Sequence, residues 1–431
     1  MREGRCNVQT ARDGSGCGRA GSCCGVSIVI CAVLAAGIAR RELKAEDTTP
    51  LYRQNQAAEL RAPLDAVNLV TFPEPKGLRL GQFVFSPFVS VDSTYTDNPT
   101  RAEKSRVDDV LMEYAGGFAT MFRPAECAKL SLNYDFGWHE YELGSATSYA
   151  SHQASFNAAL TRVGVEGLSL NFSEQYVQTG NSSALENQIV QFSRYQSNRA
   201  AMRSIYAYNR FKISGEYAYA LQEYYERVNA PSNFRTHTGN LEFAWEWLPK
   251  RFEIFESFQL QRTLFDHVDG NDFDAYTITA GVRGVYSKFS YSFATGYAFA
   301  VPLTGPGVKG DASLNASLSY TPHRRLTFEL TASRGFTPDV RTGAALATDL
   351  SAAMRVALTS RGKFSLNYTR NQSDRMSGDQ QISVAYSTRF DYKITRNASA
   401  VFGFTRYERT STQMGGAFVG NEVRLGCKLA W

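Results

Sequence analysis

The histidines, cysteines and serines of the chain are the residues that could carry metal, redox or nucleophilic chemistry. The five histidines are widely spaced and lie at His139, His152, His237, His267 and His323. Neither an HExxH nor a CxxC spacing occurs after residue 39. Because metal and redox sites need ligands at such defined spacings, the pattern predicts no metal site and no cofactor.

One possible nucleophile and base remain. His139 and His152 fall on neighbouring predicted strands, and Ser151 and Ser155 lie close to them in sequence. A serine activated by a histidine is the arrangement of a hydrolase. Serines are common on all of these strands, so their proximity to a histidine carries little weight. We therefore predict no enzyme and no catalytic residues, and keep a lipid or sugar hydrolase as a minor alternative.

A second group of residues points to ion attraction instead of catalysis. Six basic side chains follow predicted tight turns and share one face of the adjoining strands: Lys129, Lys212, Lys288, Arg325, Lys363 and Lys428. If that face lines an aqueous pore, these residues would concentrate anions and repel cations. The alternative is that they only bind turn carbonyls or keep a rim soluble. Acidic residues on the same face would then pair with some of them.

Composition excludes several classes of protein. The 431 residues carry 46 basic and 41 acidic side chains, a formal net charge of +5, which is too balanced to predict nucleic-acid binding. Aromatic residues make up 13% of the chain, which excludes a disordered protein. The mean hydropathy is −0.31, which excludes a multi-pass helical membrane protein. A transmembrane β-barrel is compatible with this value because its strands alternate lipid-facing and lumen-facing side chains.

The N-terminal region has the pattern of an export signal. Residues 25–39 form the apolar run GVSIVICAVLAAGIA, which follows Arg12 and Arg19 and ends in small residues. We predict a signal peptide over residues 1–39, in which residues 1–24 are long for such a segment and favour a downstream start codon. Residues 40–79 are polar and proline-rich, and we predict a periplasmic segment there. The sequence leaves open whether this segment plugs a lumen.

From Leu80 to the end, one hairpin pattern repeats. A turn is followed by a basic or small residue and then by alternating apolar and polar positions, as in AKLSLNYDF from Ala128 and GKFSLNY from Gly362. The period of two is that of a strand. Short turns alternate with longer polar connections, which is typical of an antiparallel up-and-down barrel. We predict about 18 strands over residues 80–431. A soluble propeller is the alternative, but each of its repeats would hold four short strands.

Aromatic residues on these strands fit a membrane boundary. Tyrosine prefers the membrane–water interface, where its ring meets lipid and its hydroxyl meets water. The candidates for such a girdle are Tyr217, Tyr219, Tyr224, Tyr225, Tyr291 and Tyr297. Lipid cannot bond the N–H and C=O groups of an edge strand, so the predicted sheet must close on itself.

The last ten residues carry the most specific pattern in the chain. Val423, Leu425, Cys427, Leu429 and Trp431 share one face of a predicted strand. The segment resembles the β-signal that the outer-membrane assembly machinery recognises, whose four positions are filled here by Arg424, Gly426, Leu429 and Trp431. The resemblance implies a Gram-negative outer membrane as the location. Loss of residues 1–39 would leave only Cys127 and Cys427 as cysteines, which fits passage through an oxidising periplasm.

The segment FSPFVSVDSTYTDN at residues 85–98 resembles a family of β-barrel porins associated with exopolysaccharide or exosortase (PEP-CTERM-type) systems. Tyr95, Asp97 and Asn98 match the specific part of its motif. The resemblance implies a role in polysaccharide export or surface assembly, and it implies no catalytic residues. On physical grounds we expect Asp97 and Asn98 to cap the first extracellular loop through Asx-turn bonds.

These features together predict an all-β protein, a transmembrane antiparallel up-and-down barrel of about 18 strands. The predicted function is a porin-like passive channel, with extracellular polysaccharide as a candidate solute. The alternatives are a non-conducting structural or assembly component of the envelope and, as a minor one, an outer-membrane hydrolase. The expected partners are outer-membrane lipids, the barrel assembly machinery, and polysaccharide or other polar solutes, with no nucleic acid. The connections at the mouth are short, so we expect no long constriction loop that folds inward.

Overall fold

The computed structural model describes the part of the chain that forms one β-sheet. The described residues are 77–99, 107–145, 147–161, 167–179, 194–225, 233–249, 251–266, 271–304, 308–339, 343–375, 378–412 and 417–431. The predicted signal peptide and nearly all of the predicted periplasmic segment lie outside them and stay predictions. No helix long and apolar enough to cross a membrane occurs among the described residues.

Nineteen strands make up the described sheet, and all but the first are long. They are β1 Leu78–Leu80, β2 Phe83–Thr96, β3 Asp109–Ala125, β4 Ala128–Tyr141, β5 Tyr149–Thr161, β6 Leu168–Thr179, β7 Tyr195–Tyr208, β8 Phe211–Tyr224, β9 Phe234–Leu248, β10 Phe252–Phe265, β11 Phe273–Tyr286, β12 Phe289–Pro302, β13 Lys309–His323, β14 Leu326–Asp339, β15 Gly343–Ala357, β16 Gly362–Arg375, β17 Gln380–Lys393, β18 Ala398–Ser411 and β19 Phe418–Ala430. Strands β2–β19 have 12 to 17 residues. A tilted strand needs about 9–11 residues to span a bilayer, so each of them is long enough.

The sheet closes into a barrel. Each strand from β2 to β19 pairs antiparallel with the next along the chain, and β19 returns to pair with β2. This closing seam runs from Glu422 opposite Thr96 to Ala430 opposite Phe88. The prediction of a closed antiparallel barrel of 18 strands is therefore confirmed. Strand β1 lies outside this count, because it pairs only with β2.

The register assigns every side chain of the wall to one of two faces, because directly opposed residues of paired strands point the same way. On β2 the exposed Val89 and Val91 alternate with the buried Ser90 and Asp92. The face that contains Val89 continues around the barrel with exposed large apolar side chains, among them Leu132, Phe136, Leu241, Phe258, Phe293, Leu330, Phe402 and Leu425. This outer face is the surface that a transmembrane barrel presents to lipid.

The opposite, inner face carries most of the polar side chains of the strands. It is defined by continuous pairing from Asp92 through Glu113 to His139 and onward around the wall. Of the predicted girdle residues in strands, Tyr217, Tyr219, Tyr291 and Tyr297 belong to the outer face by this register. Tyr224 does not: it lies on the inner face, 5% exposed. The prediction for Tyr224 was wrong because successive residues of a strand point to opposite faces, and Tyr224 is an odd number of residues away from Tyr217 and Tyr219.

Candidate functional site

An uncharged polar patch occupies the inner face of three neighbouring strands. It consists of Ser131 and Asn133 on β4, Ser155 and Asn157 on β5, and Ser173 and Gln175 on β6. The register places these residues directly opposite one another across the strands. The amide of Asn133 donates to the hydroxyl of Ser155 at 3.0 Å. The inner-face positions of β5 and β6 contain no charged side chain within the described residues.

Hydroxyl and carboxamide groups both donate and accept hydrogen bonds. All six side chains of the polar patch are partly or fully accessible, so they can exchange hydrogen bonds with water and with a solute. Such contacts are individually weak, which suits a wall along which a solute must bind and leave repeatedly. The sequence alone did not single out this patch. The alternation on each strand indicates only that these residues share a face of that strand. The register between strands was needed to show that the six residues lie next to one another.

Charged residues of the inner face are concentrated elsewhere and occur mainly as ion pairs. The densest group joins β8, β9, β10 and β11. The ammonium of Lys212 lies 2.6 Å from Glu253, and the guanidinium of Arg283 binds both Glu253 and Glu242, the latter at 2.8 Å. Arg283 also lies over the ring of Phe255, 4.6 Å from its centroid. Two cations and two carboxylates therefore offset one another on this part of the wall.

Other inner-face charges are paired in the same way. Arg355 contacts Glu329 at 2.5 Å, Arg389 contacts Asp391 at 2.8 Å, and Arg203 approaches Glu216 to 4.0 Å. These pairs are partly exposed, so each contributes little to stability. Their effect on the lumen is to cancel charge, because each cation has a carboxylate within 4.0 Å.

The six predicted collar residues do not form one ring of equivalent charges. Lys129 and Lys363 lie on the inner face and are exposed, with no ion-pair partner among the described residues. Lys212 is held by Glu253. Lys428 is also on the inner face, where its ammonium lies 3.7 Å from the ring centroid of Phe88.

The two remaining collar residues lie in turns and not on strands. Lys288 belongs to the β11–β12 turn and donates to the carbonyl of Pro322 at 2.5 Å. Arg325 belongs to the β13–β14 turn. The contact of Lys288 with a carbonyl matches the alternative role that the sequence left open. A role of the six residues in anion selectivity stays a prediction.

The candidate nucleophile and base are in contact. On the inner face, Nε2 of His139 lies 2.8 Å from Oγ of Ser151, and the imidazole stacks on Tyr149 with ring centroids 4.4 Å apart. His152 is not part of this arrangement. It points to the outer face, where Nδ1 lies 2.9 Å from the hydroxyl of Tyr134. The described residues contain no group of three or more His, Cys, Asp or Glu side chains that could hold a metal ion.

The four β-signal residues lie at the closing seam. Arg424 is on the inner face, and its Nε donates to Asp92 of β2 at 3.2 Å. Gly426 stands directly opposite Asp92, and a Cβ there would come 1.7 Å from the Asp92 carboxylate. Because glycine has no side chain, it leaves room for the Asp92 carboxylate to lie across the seam, over residue 426. Leu429 is exposed on the outer face, and the backbone N–H of Trp431 donates to Pro87 at 3.1 Å.

The family-motif residues also hold the seam, at its other end. Both carboxylate oxygens of Asp97 accept hydrogen bonds of 2.6 Å from Asn421, one from its backbone and one from its side chain. The amide of Asn98, which is fully buried, donates to the carbonyl of Val419 at 3.0 Å. The hydroxyl of Tyr95 donates to Asp108 at 2.9 Å.

These side-chain bonds of Asp97 and Asn98 therefore run across the closing seam of the barrel. The sequence considered only neighbours along the chain, and the Asx turns that it predicts involve a loop outside the described residues, so they stay a prediction. The partner of Asp97 across the seam is 324 residues away.

Comparison with known proteins finds only distant structural neighbours. No family model and no curated protein matches the chain. The solved structures that resemble it include OpdK of Pseudomonas aeruginosa, with a TM-score of 0.43 and 10% identity over 80% of this chain and 99% of that one. OccK2 (OpdF) of the same organism gives 0.46 and 7% over 80% and 98%. The FrpB iron transporter of Neisseria meningitidis gives 0.40 and 7% over 83% and 82%.

Proposed function

We propose that the protein is an outer-membrane channel through which uncharged, polyhydroxylated solutes diffuse passively, extracellular polysaccharide among them. The polar patch on β4–β6 is the observation on which the proposal rests. Its hydroxyl and carboxamide groups match the donors and acceptors of a sugar hydroxyl. Many of the charges on the rest of the inner face are paired with one another and so attract ions only weakly, while Lys129 and Lys363 stay exposed.

The proposal includes the surroundings of the barrel. The apolar outer face needs the lipids of a membrane. The closed pairing of β2–β19 bonds the backbone groups that lipid cannot bond, except where β13 and β14 separate beyond Leu314 and Arg334. The terminal strand with Arg424, Gly426, Leu429 and Trp431 would be recognised by the barrel assembly machinery of a Gram-negative cell. Both partners are part of the proposal.

The channel is tested with the barrel refolded into liposomes and planar bilayers. We expect stepwise ohmic currents, and faster entry of neutral oligosaccharides than of charged solutes of equal size. Ser155→Leu with Asn157→Leu makes the central strand of the patch apolar and should slow sugar entry. The matched control, Ala154→Leu with Phe156→Leu, changes neighbouring outer-face positions of the same strand and should not. A folded barrel that carries no current would instead support the structural or assembly role.

Hydrolysis is a second candidate, favoured by the 2.8 Å contact between His139 and Ser151. An acyl-transfer site also needs donors for the developing oxyanion. Here both residues lie within regularly paired strands, whose backbone N–H groups serve the sheet. The channel is therefore the better-supported function. Hydrolysis of a lipid or sugar ester that both Ser151→Ala and His139→Ala abolish would reverse this ranking.

A further inference from the structure

Strands β13 and β14 separate before they reach the end of the barrel opposite the short turns. Their pairing runs from His323 opposite Leu326 to Leu314 opposite Arg334 and ends there. Beyond that point β13 stays with β12 as far as Lys309. Strand β14 stays with β15 as far as Asp339, which lies opposite Gly343. The last part of the β14–β15 hairpin therefore follows a different path from the wall next to it. We call residues 335–339 and 343–346 the hairpin tip.

The contacts of the hairpin tip show which path it takes. Phe336, Ala344 and Leu346 are 7%, 1% and 8% exposed and belong to the same buried cluster as residues of β11 and β12. Those residues include Phe273 and Ala298, which point into the barrel. Strand β13 lies between β12 and β14 in the sheet. The tip can reach the inner face of β11 and β12 only by passing in front of β13 on the lumen side.

The alternation of side chains along β14 agrees with this path. Phe328, Leu330 and Phe336 occupy alternate positions and so have the same parity, meaning that in a regular strand they would point to the same face. Phe328 and Leu330 are exposed on the outer face. When a hairpin leaves the wall toward the lumen, its former outer face turns toward the inner surface of the wall. Phe336 and Leu346 continue the outer-face positions of their strands and thereby become buried against the wall. Residues at outer-face positions nearer the short turns still face lipid.

Two further features fasten the hairpin tip. Gly343 has a φ of +78°, and a Cβ there would lie 2.5 Å from the carbonyl oxygen of Asn271 in the β10–β11 connection. A residue without a side chain is needed for this close approach and this backbone angle. On the neighbouring strand, Nε of Arg375 donates to Asp339 at 2.9 Å, and these two side chains are 3% and 1% exposed. A buried, hydrogen-bonded ion pair is costly to break.

We infer that the hairpin tip is a fixed constriction in the mouth of the barrel and determines the largest solute that can pass. The inference rests on the proposed channel function. The sequence predicted no long loop that folds inward at the mouth, because the connections there are short. Here the ends of two strands, and not a long loop, carry the inward bend.

The experiment releases the tip and measures the pore. Phe336→Ala with Leu346→Ala removes the apolar contacts to the wall. Phe328→Ala with Leu330→Ala is the matched control, with the same residue types and the same parity but with side chains that face lipid. We expect the first variant to raise single-channel conductance and to admit larger neutral oligosaccharides in liposome swelling. The control should keep the wild-type values of both.

A thiol probe reports the position of the tip independently of conduction. In a background in which all seven cysteines of the chain are replaced by serine, Ala344→Cys should react slowly with a charged maleimide, because Ala344 is 1% exposed. Adding the two releasing substitutions should make it react quickly. Fast reaction without them would overturn the inward packing of the tip.

The remaining outcomes distinguish the two proposals. A thiol that becomes reactive while conductance and size limit stay at wild-type values would overturn the constriction and leave the channel intact. Currents that appear only after release would support the tip as the obstruction and overturn an open wild-type pore. Folded barrels that stay silent in both forms would overturn the channel and, with it, the constriction.

Discussion

Asp97 should be one of the most sensitive positions for the stability of the barrel. Its carboxylate accepts two hydrogen bonds of 2.6 Å from Asn421 and so joins the first and last strands of the wall. The seam beneath it consists of nine directly opposed residue pairs, from Thr96–Glu422 to Phe88–Ala430. Asp97→Ala removes both bonds at the end of this ladder, where separation of the strands would begin.

The expected loss follows from the type of bond. A hydrogen bond to a charged group contributes about 1.5–3 kcal/mol. Asp97 is partly exposed, so water replaces some of the lost contacts and the lower end of that range applies. Two bonds then give a decrease of about 3 kcal/mol in the free energy of unfolding. At about 1.4 kcal/mol per factor of ten, this is roughly a hundredfold change in the unfolding equilibrium.

The assay is denaturant unfolding of the refolded barrel, followed by tryptophan fluorescence. Loss of stability without a change in the folded structure lowers the midpoint and leaves the slope of the transition unchanged. Asp97→Asn keeps the shape and loses the charge, so its midpoint should lie between those of the wild type and the alanine variant. Asp108→Ala removes a nearby acid that accepts a hydrogen bond from Tyr95 and not from a residue across the seam. Equal midpoints for Asp97→Ala and Asp108→Ala would refute the role assigned to the seam.

Three other substitutions test separate parts of the wall. Gly426→Ala should cost about 1–3 kcal/mol by forcing the opposing carboxylate of β2 to move, whereas Gly403→Ala, whose added Cβ meets its nearest atoms at 3.6 Å, should not lower the denaturant midpoint. Lys129→Gln with Lys363→Gln removes two exposed inner-face cations, so reversal potentials in a salt gradient should shift toward cation preference; unchanged potentials would exclude these residues as selectivity determinants. Arg283→Met should lower the free energy of unfolding by about 3–5 kcal/mol, because two partly buried carboxylates lose their shared cation. A midpoint within error of the wild type would show that those carboxylates are solvated.

The sequence was sufficient for the architecture because each of its signals is local. Alternation within KFSLNY after Gly362 identifies a strand, and the short turn before it identifies the end of the barrel at which that strand starts. Repetition of this unit gave the number of strands. It also gave the faces of Lys129 and Lys363, since parity along one strand is a property of that strand alone.

The candidate site was only partly predictable, because its contacts cross strands. The sequence brought His139 and Ser151 together on adjacent strands, and they are 2.8 Å apart. It could not pair Arg283 with Glu242, which is 41 residues away and two strands distant. The alternating pattern limits each residue to one face. Which of the residues on that face become neighbours depends on the stagger between strands.

The amino-acid sequence by itself determined that this chain forms alternating strands, about 18 of them, with an apolar side and a polar side, since these properties depend on residues within a few positions of one another. The tertiary structure alone decided how Asp97 meets Asn421, which charges on the inner face cancel, and where the β14–β15 tip leaves the wall. Each of these depends on the register around a closed sheet and on contacts between distant strands. A period of two leaves that register open, because a slip of two residues preserves both faces and changes every partner.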